Sequence, residues 1–348
     1  MKYFDFSCQP AAAWLTVNQA CNMRCKWCYG EGTHYNTDDS MTFETAKELV
    51  DIAIGAGVSH FNIIGGEPTI WPHLFDLFDY CRSKGATAGL ITNAVRFGDD
   101  DFWQKYEENP ADRISISVKS ADPNEFANVT SSKLFEKTMN GVERAVKLHQ
   151  TGITTVYNSL VGMSGLKKIA IECKKLGANS IIVNMCSPTI DENGTVSKGY
   201  SINPEKLAGD TIEMIDYLNK LYDGKAEIDI QMPLCLFPSE FVEDNLKAKR
   251  IMTLCQIFSR TGINFDFKGN VTVCNEFAIE TIAKKGIDFI DGESLLRHLN
   301  SKPIRDFYKE ILRYPAECCE VCRWKEDCRG GCLMNWLVFE PSICHAVA

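Results

Sequence analysis

An α/β fold built on a parallel sheet, followed by a small cysteine-rich α+β region, is what this sequence predicts. Three observations carry that reading. Between residue 12 and about 190, short apolar runs alternate with helical stretches at spacings of roughly 20–40 residues, the pattern of parallel strands joined by right-handed crossovers. The first apolar run leads straight into three closely spaced cysteines, Cys21, Cys25 and Cys28. The final third of the chain drops the alternation and carries a second, denser set of cysteines.

In chain order, the candidate strands are Ala12–Gln19, His60–Gly65, Ala86–Thr92, Arg113–Val118, Thr154–Val161 and Ser180–Met185. Between them fall helical stretches at Phe43–Ala56, His73–Lys84, Asp100–Glu108, Lys133–Gln150 and Leu166–Leu176. Thr42 is placed to cap the first helix, whose inner face is Ala46, Leu49, Val50 and Ala53. These strand–helix units are exhausted before the roughly 250 residues a full eight-stranded barrel takes. Residues 187–203 are rich in Ser, Pro, Asn, Asp and Gly and read as a loop. Pro204 fits the first turn of a helix reaching Tyr222, with Ile212, Ile215, Leu218 and Leu221 as its apolar face. A boundary near Asp223-Gly224 divides the chain into residues 1–222, a bridging region 223–254 and a C-terminal region 255–348. In the last, Ile263–Phe267 and Asn270–Val273 read as a hairpin around Lys268-Gly269.

Composition narrows the function classes. The net charge is −9 with no basic run, which argues against nucleic acid as a partner, because phosphate binding needs a clustered positive face. No apolar run approaches the ~18 residues of a membrane span, and Met1 to Leu15 lack the basic and apolar blocks of a signal peptide. A cytoplasmic protein is expected. Sixteen cysteines in such a chain point to metal or cluster ligation rather than disulfides. Cys81 and Cys173, in helical stretches, read as small buried apolar residues.

The Cys21-x3-Cys25-x2-Cys28 loop follows the first strand, and so sits at the carboxyl end of a sheet, where barrel active sites lie. A closed zinc site wants four protein ligands, and iron–sulfur clusters are usually held by four thiolates. This loop offers three, leaving one coordination position for a small molecule. At the end of the second strand, Gly65-Gly66-Glu67-Pro68 pairs two glycines that let backbone approach a ligand with an acceptor for an ammonium group.

On these residues the chain resembles the radical S-adenosylmethionine (radical SAM) enzymes. The resemblance implies a partial (βα)6 TIM-like barrel. It implies a four-iron four-sulfur (4Fe-4S) cluster on Cys21, Cys25 and Cys28, whose fourth iron chelates the amino and carboxylate groups of S-adenosylmethionine. Trp27 matches the aromatic residue usual before the third cysteine, and Gly65, Gly66, Glu67 and Pro68 match the motif that binds the methionine amino group. Thr92-Asn93-Ala94 is close to the family's Thr-Asn-Gly, so Asn93 carries over as a cofactor contact. Ser117 matches a serine placed to contact the ribose. Lys119 stands where many relatives have an acidic residue; it holds a cofactor or substrate carboxylate, or is an exposed lysine beside the barrel mouth. Asn158 and Asn184 point to the same mouth, or serve strand-end hydrogen bonding.

The C-terminal cysteines, Cys255, Gly269-x4-Cys274, Cys319-x2-Cys322-x5-Cys328-x3-Cys332 and Cys344, resemble the SPASM extension of that family. That resemblance implies two auxiliary 4Fe-4S clusters, three clusters in all. Cys319, Cys322, Cys328 and Cys344 hold one, and Cys255, Cys274 and Cys332 the other. The latter lacks a fourth ligand, for which Cys235 is the candidate and an open iron the alternative. A pair of zinc sites is the structural alternative for the whole region.

The function implied is a radical SAM oxidoreductase that cross-links a ribosomally synthesised precursor peptide through a carbon–carbon or thioether bond. An external flavodoxin or ferredoxin is the implied electron donor. The alternatives are a small-molecule dehydrogenase of the aminoglycoside or sugar-alcohol type and an anaerobic sulfatase maturase. The maturase position after the Gly-x4-Cys cysteine is an aspartate; here it is Asn275, followed by Glu276, either a displaced base or a solvated turn carboxylate. With about eleven residues before the first strand, leader recognition is expected from a separate protein or from the barrel surface.

Overall fold

The computed structural model describes residues 7–32, 36–148, 151–191, 193–253, 255–277, 280–311, 319 and 321–339. Cys318 and Cys344 lie outside these residues. The six expected strands form as β1 (Ala12–Thr16), β2 (His60–Ile64), β3 (Thr87–Thr92), β4 (Arg113–Ser117), β5 (Thr151–Tyr157) and β6 (Ile181–Met185), each parallel to the next. Alternate residues face the core: Ala13 and Leu15, Phe61 and Ile63, Ile114 and Ile116, Ile181 and Val183 are all buried. Each large apolar side chain removed from water in this way contributes roughly 1.5–3 kcal/mol.

Helices α1 (Phe43–Gly55), α2 (Leu74–Ser83), α3 (Asp100–Glu108), α4 (Pro123–Thr130), α5 (Phe135–Ala145) and α6 (Gly162–Lys175) occupy the crossovers. Thr42 caps α1 as expected, its side chain accepting from the Thr45 amide, and Ala46, Leu49, Val50 and Ala53 are fully buried. α4 escaped the sequence reading, although Asp122 caps it and Pro123 occupies its first turn. The fifth strand departs from its expected span of Thr154–Val161. It starts at Thr151 and stops at Tyr157, because the Asn158 side chain accepts from the Leu160 and Val161 amides at 2.9 and 3.0 Å and turns the chain into α6.

Residues 187–203 hold a short antiparallel pair, β7 (Thr189–Ile190) and β8 (Val196–Ser197). α7 (Pro204–Leu221) follows, capped by Asn203. Its buried stripe runs through Leu207, Thr211, Met214, Ile215 and Leu218; Ile212 and Leu221 sit at the margin.

The sheet does not stop at residue 222. β9 (Ala226–Asp229) and β10 (Ile251–Met252) extend it in parallel beyond β6. On the opposite side β11 (Gly262–Phe265) pairs in parallel with β1, followed by antiparallel β12 (Val271–Thr272) and β13 (Thr281–Ala283). One eleven-stranded sheet thus spans the described residues, with β1 between β2 and β11. The expected hairpin is β11–β12, turned through Gly269 at φ +88° with the Asp266 carboxylate accepting from the Lys268 and Asn270 amides. Among the described residues, no helix is long and apolar enough to cross a membrane.

Candidate active site

The β1–β2 pairing continues past both strand ends and stitches the cysteine loop to the glycine turn. Val17 donates to Ile64, Gly66 to Asn18 and Glu67 to Ala20, with N···O distances of 2.9, 2.8 and 2.7 Å. A Cβ on Gly65 would lie 2.2 Å from Asn18 Oδ1, and one on Gly66 would lie 2.3 Å from the Gln19 and Ala20 carbonyl oxygens. The glycines are therefore required by the approach of the cysteine loop, and both also line the cavity described below.

Glu67 is fully buried and spends its carboxylate on the chain. Oε1 accepts from the Thr69 amide (3.1 Å) and from the hydroxyls of Thr69 and Thr92 (2.6 Å each), and Oε2 accepts from the Asn93 amide at 2.8 Å. Burial pushes its pKa up, and those donors pull against the shift. Glu67 thereby locks the turn after β2 to the end of β3. Pro68 is buried behind it and does not line the cavity. Asn93 reaches the cysteine loop, its Nδ2 2.7 Å from Asn22 Oδ1 and 3.8 Å from Cys21 Sγ. Ala94, at the family's glycine position, holds the left-handed φ of +63°.

The loop's other side is pinned to α4: Arg24 and Lys26 donate backbone amides to the carbonyls of Thr130 and Val129. Met23 plugs a small apolar cluster with Val95 and Phe126, against which Cys21 and Cys25 pack. The three thiols converge. The Cys21 thiol is pushed up to about 12 by burial, then by Glu67, Cys25 and Cys28. Thiolates crowded in this way repel one another, so a bound cationic group is what would hold them ionised together.

All of this opens on one cavity of about 800 Å³, within the range of small-molecule sites. Trp27, the three cysteines, Gly65, Gly66, Glu67, Asn93, Ser117 and Lys119 line one side. Lys119 is half-buried on the wall, with its Nζ donating to Ser117 Oγ. Asn184 and its cross-strand partner Asp229 line it further along. Asn158 does not: it is fully buried, its amide consumed by the turn described above and by the Val156 carbonyl.

The far wall comes from the C-terminal half: Gln256, Asn275 and Glu276, with Cys186, Ser187 and Gln231 beside them. Asp229 was missed by the sequence reading, which placed it in a bridge rather than at the carboxyl end of a parallel strand. Burial raises its pKa to about 6, Glu276 adds to the rise, and Gln231 Nε2, 3.4 Å away, opposes it.

Behind this wall the C-terminal thiols fall into two groups. Cys274 is held well above the usual thiol range by burial, then by Glu276, Cys332 and Cys255. Cys332 is pushed up to about 12 by burial, Cys255 and Glu276. Cys255, Cys274 and Cys332 are thus electrostatically coupled to one another. Cys235, the candidate fourth ligand, stands beside Cys328. The Cys328 thiol is pushed up to about 11, by burial first and with Cys235 and Cys322 adding to the rise, against the Leu234 amide, which donates to its Sγ at 3.2 Å. The short 3₁₀ turn Leu234–Leu236 carries Cys235 to the second group. Cys319 is half-buried, its carbonyl accepting from the Cys322 amide, and Cys344 lies outside the described residues. Among the described residues, no three His, Cys, Asp or Glu side chains stand close enough to hold a single metal ion, as zinc would require.

Residues 15–176 match the model of the Radical SAM superfamily. A probable GTP 3′,8-cyclase of Methanococcus maripaludis is 25% identical over 169 residues, 47% of this chain and 55% of that protein. Another, of Methanocaldococcus jannaschii, is 22% identical over 204 residues, 58% of this chain and 66% of that protein. The chain spans about half the length of the first of these curated relatives. Among solved structures, SuiB of Streptococcus suis bound to precursor peptide SuiA is similar with a TM-score of 0.70 at 15% identity, covering 97% of this chain and 76% of SuiB. The enzyme anSMEcpe with bound AdoMet and Cp18Cys peptide follows at 0.65 and 18%, covering 93% and 89%. At these identities the likeness concerns the fold.

Proposed function

The chain belongs to the radical SAM superfamily through residues 15–176, and on that premise we propose that it oxidatively modifies a ribosomally made peptide, forming a carbon–carbon or thioether cross-link. The observation that carries this is the single cavity, which runs from the cysteine loop to a wall supplied by the C-terminal half. Cys21, Cys25 and Cys28 would hold the cluster that binds S-adenosylmethionine, and the two C-terminal thiol groups would hold auxiliary clusters. When bound, these groups supply one-electron cleavage of S-adenosylmethionine, removal of a substrate hydrogen atom by the deoxyadenosyl radical, and an acceptor for the second electron, which passes on to an external redox protein.

The chain's own residues orient and take protons. Glu67 fixes the turn against the cysteine loop, and Ser117 and Lys119 offer a hydroxyl and an ammonium to the cofactor or a substrate carboxylate. Asp229, with a pKa of about 6, is ionised at neutral pH and is the group we assign to accept the proton the oxidised substrate releases.

A nucleotide substrate, suggested by the names of the sequence relatives, is less well supported. Their matches span about half of this chain, and the matched superfamily domain ends at residue 176. The far wall presents two carboxylates, Asp229 and Glu276, which would repel a triphosphate.

Anaerobic coexpression with candidate short peptides, followed by high-resolution mass spectrometry, tests the reading. Loss of two hydrogens from the peptide, placed by fragmentation, is expected. Deoxyadenosine formation with every peptide unchanged in mass, alongside oxidation of an aminoglycoside or sugar alcohol, would overturn it. Alanine at Cys21, Cys25 and Cys28 should abolish deoxyadenosine formation.

A further inference from the structure

Gln231, in the loop after β9, bridges two groups that the reaction has to coordinate. Its side-chain Nε2 donates to Asp229 Oδ2 at 3.4 Å, and its Oε1 accepts from the Ser187 hydroxyl. Its backbone is fixed from the C-terminal half: the Gln231 carbonyl accepts from the Cys332 amide at 3.1 Å and from Asn335 Nδ2 at 2.6 Å. Ser187 Oγ in turn lies 3.8 Å from Cys332 Sγ, within reach of a hydrogen bond to sulfur. Asp229, Gln231, Ser187 and Cys332 therefore form a chain of contacts from the cavity wall to a C-terminal thiol. β6 and β10 set neutral side chains, Asn184 and Met252, beside Asp229, and Glu276 is the charged group that acts on it from the facing segment.

The hydrogen-bonding inventory gives this chain two arrangements. An ionised carboxylate only accepts, so charged Asp229 selects the nitrogen end of the Gln231 amide. The amide oxygen is then left to Ser187, whose hydroxyl has a single proton and spends it there. Once Asp229 carries a proton it becomes a donor and selects the amide oxygen instead. The amide, turned over, presents its N–H groups to Ser187, and the hydroxyl proton is free to point at Cys332 Sγ. We infer that Gln231 is a positioning residue that holds the Asp229 carboxylate and turns over when Asp229 takes the substrate proton, sending the Ser187 hydroxyl to Cys332. A hydrogen bond to a cluster sulfur favours the more negative, reduced state. Proton arrival at Asp229 thus favours electron uptake at the group Cys332 would hold, and the substrate loses that electron and that proton together. The inference rests on the readings of Asp229 as proton acceptor and of Cys332 as a cluster thiolate.

The test uses the iron-loaded full chain under anaerobic conditions. Midpoint potentials of the auxiliary signals, followed by electron paramagnetic resonance, are compared below and above the Asp229 titration in the parent, Gln231→Met and Ser187→Ala. In the parent, one potential should be higher at the lower pH. Gln231→Met leaves the hydroxyl free at every pH, so it should raise that potential at the higher pH. Ser187→Ala has no hydroxyl to give and should lower it at the lower pH. Both variants should keep only the smaller pH dependence that the Asp229 charge itself exerts. Opposite signs in the two variants are not what a folding defect produces. Gln231→Met should also lower kcat for the peptide roughly tenfold with KM kept, the scale of a lost hydrogen bond to a charged group. The same potentials and the same pH dependence in all three proteins overturn the inference. Full peptide modification by Asp229→Asn, with the redox pattern intact, would overturn the proton-acceptor reading alone. A parent without auxiliary signals would overturn the auxiliary-cluster reading and this inference with it.

Discussion

Asp229 shows what burial does to a single carboxyl. Its folded pKa of about 6 lies above the ordinary 3.8, so the folded chain holds that proton more tightly than the unfolded chain does. The stability this contributes is full below about 4 and is lost as pH rises through 6. At pH 7 Asp229→Asn should therefore be the more stable protein, by up to about 3 kcal/mol. That advantage should vanish near pH 4, as urea unfolding of the cluster-free chain at both pH values would reveal. Peptide modification should fall by two orders of magnitude or more in the same variant, the usual scale for a lost general base. Nothing in the local sequence marked Asp229, because its meaning depends on which strand it ends. Glu67 was legible as a motif member, yet its use was not: the sequence offered a free acceptor, and the structure gives a carboxylate bonded to Thr69, Thr92 and Asn93.

Among the elements, the six strands and α1 with its Thr42 cap were readable because period-two and period-3.6 patterns are local. Leu160 and Val161 misled the reading of β5, since apolar character cannot distinguish a strand end from a turn closed by Asn158. Gly65-Gly66 announced a close approach without saying what approaches. Gly66→Ala would place a methyl 2.3 Å from two carbonyl oxygens of the cysteine loop, with backbone rather than a flexible side chain as the obstacle. Overpacking of this kind costs roughly 1–3 kcal/mol. The variant should fold with a lowered Tm and bind less iron at Cys21, Cys25 and Cys28, while iron at the C-terminal thiols stays as it was. Equal loss at all sites would point to global unfolding instead.

At the scale of the whole molecule, cysteine spacing along the chain does not tell which thiols stand beside which in space. Cys235, proposed from its place in the bridge, stands beside Cys328. The reconstituted protein should carry about twelve irons, and Cys328→Ala about four fewer, since each cluster needs its own thiolates. Iron unchanged in Cys328→Ala would refute that grouping. Likewise, the linker-like composition near residue 222 does not reveal that β9 and β10 go on to pair beyond β6.

The placement of β11 beside β1 has a consequence for synthesis. Ala13 pairs with Ile263, some 250 residues later. At the roughly 5–20 residues per second of translation, β1 waits about 12–50 s for its second neighbour, with one edge bare and the cysteine loop hanging from its end. A nascent chain in that state is a template for unwanted strand addition, and its first thiols are open to oxidation before their site is complete. A fragment ending at residue 253 should accordingly aggregate when released, and iron loading of the earliest loop should follow emergence of the last third of the chain.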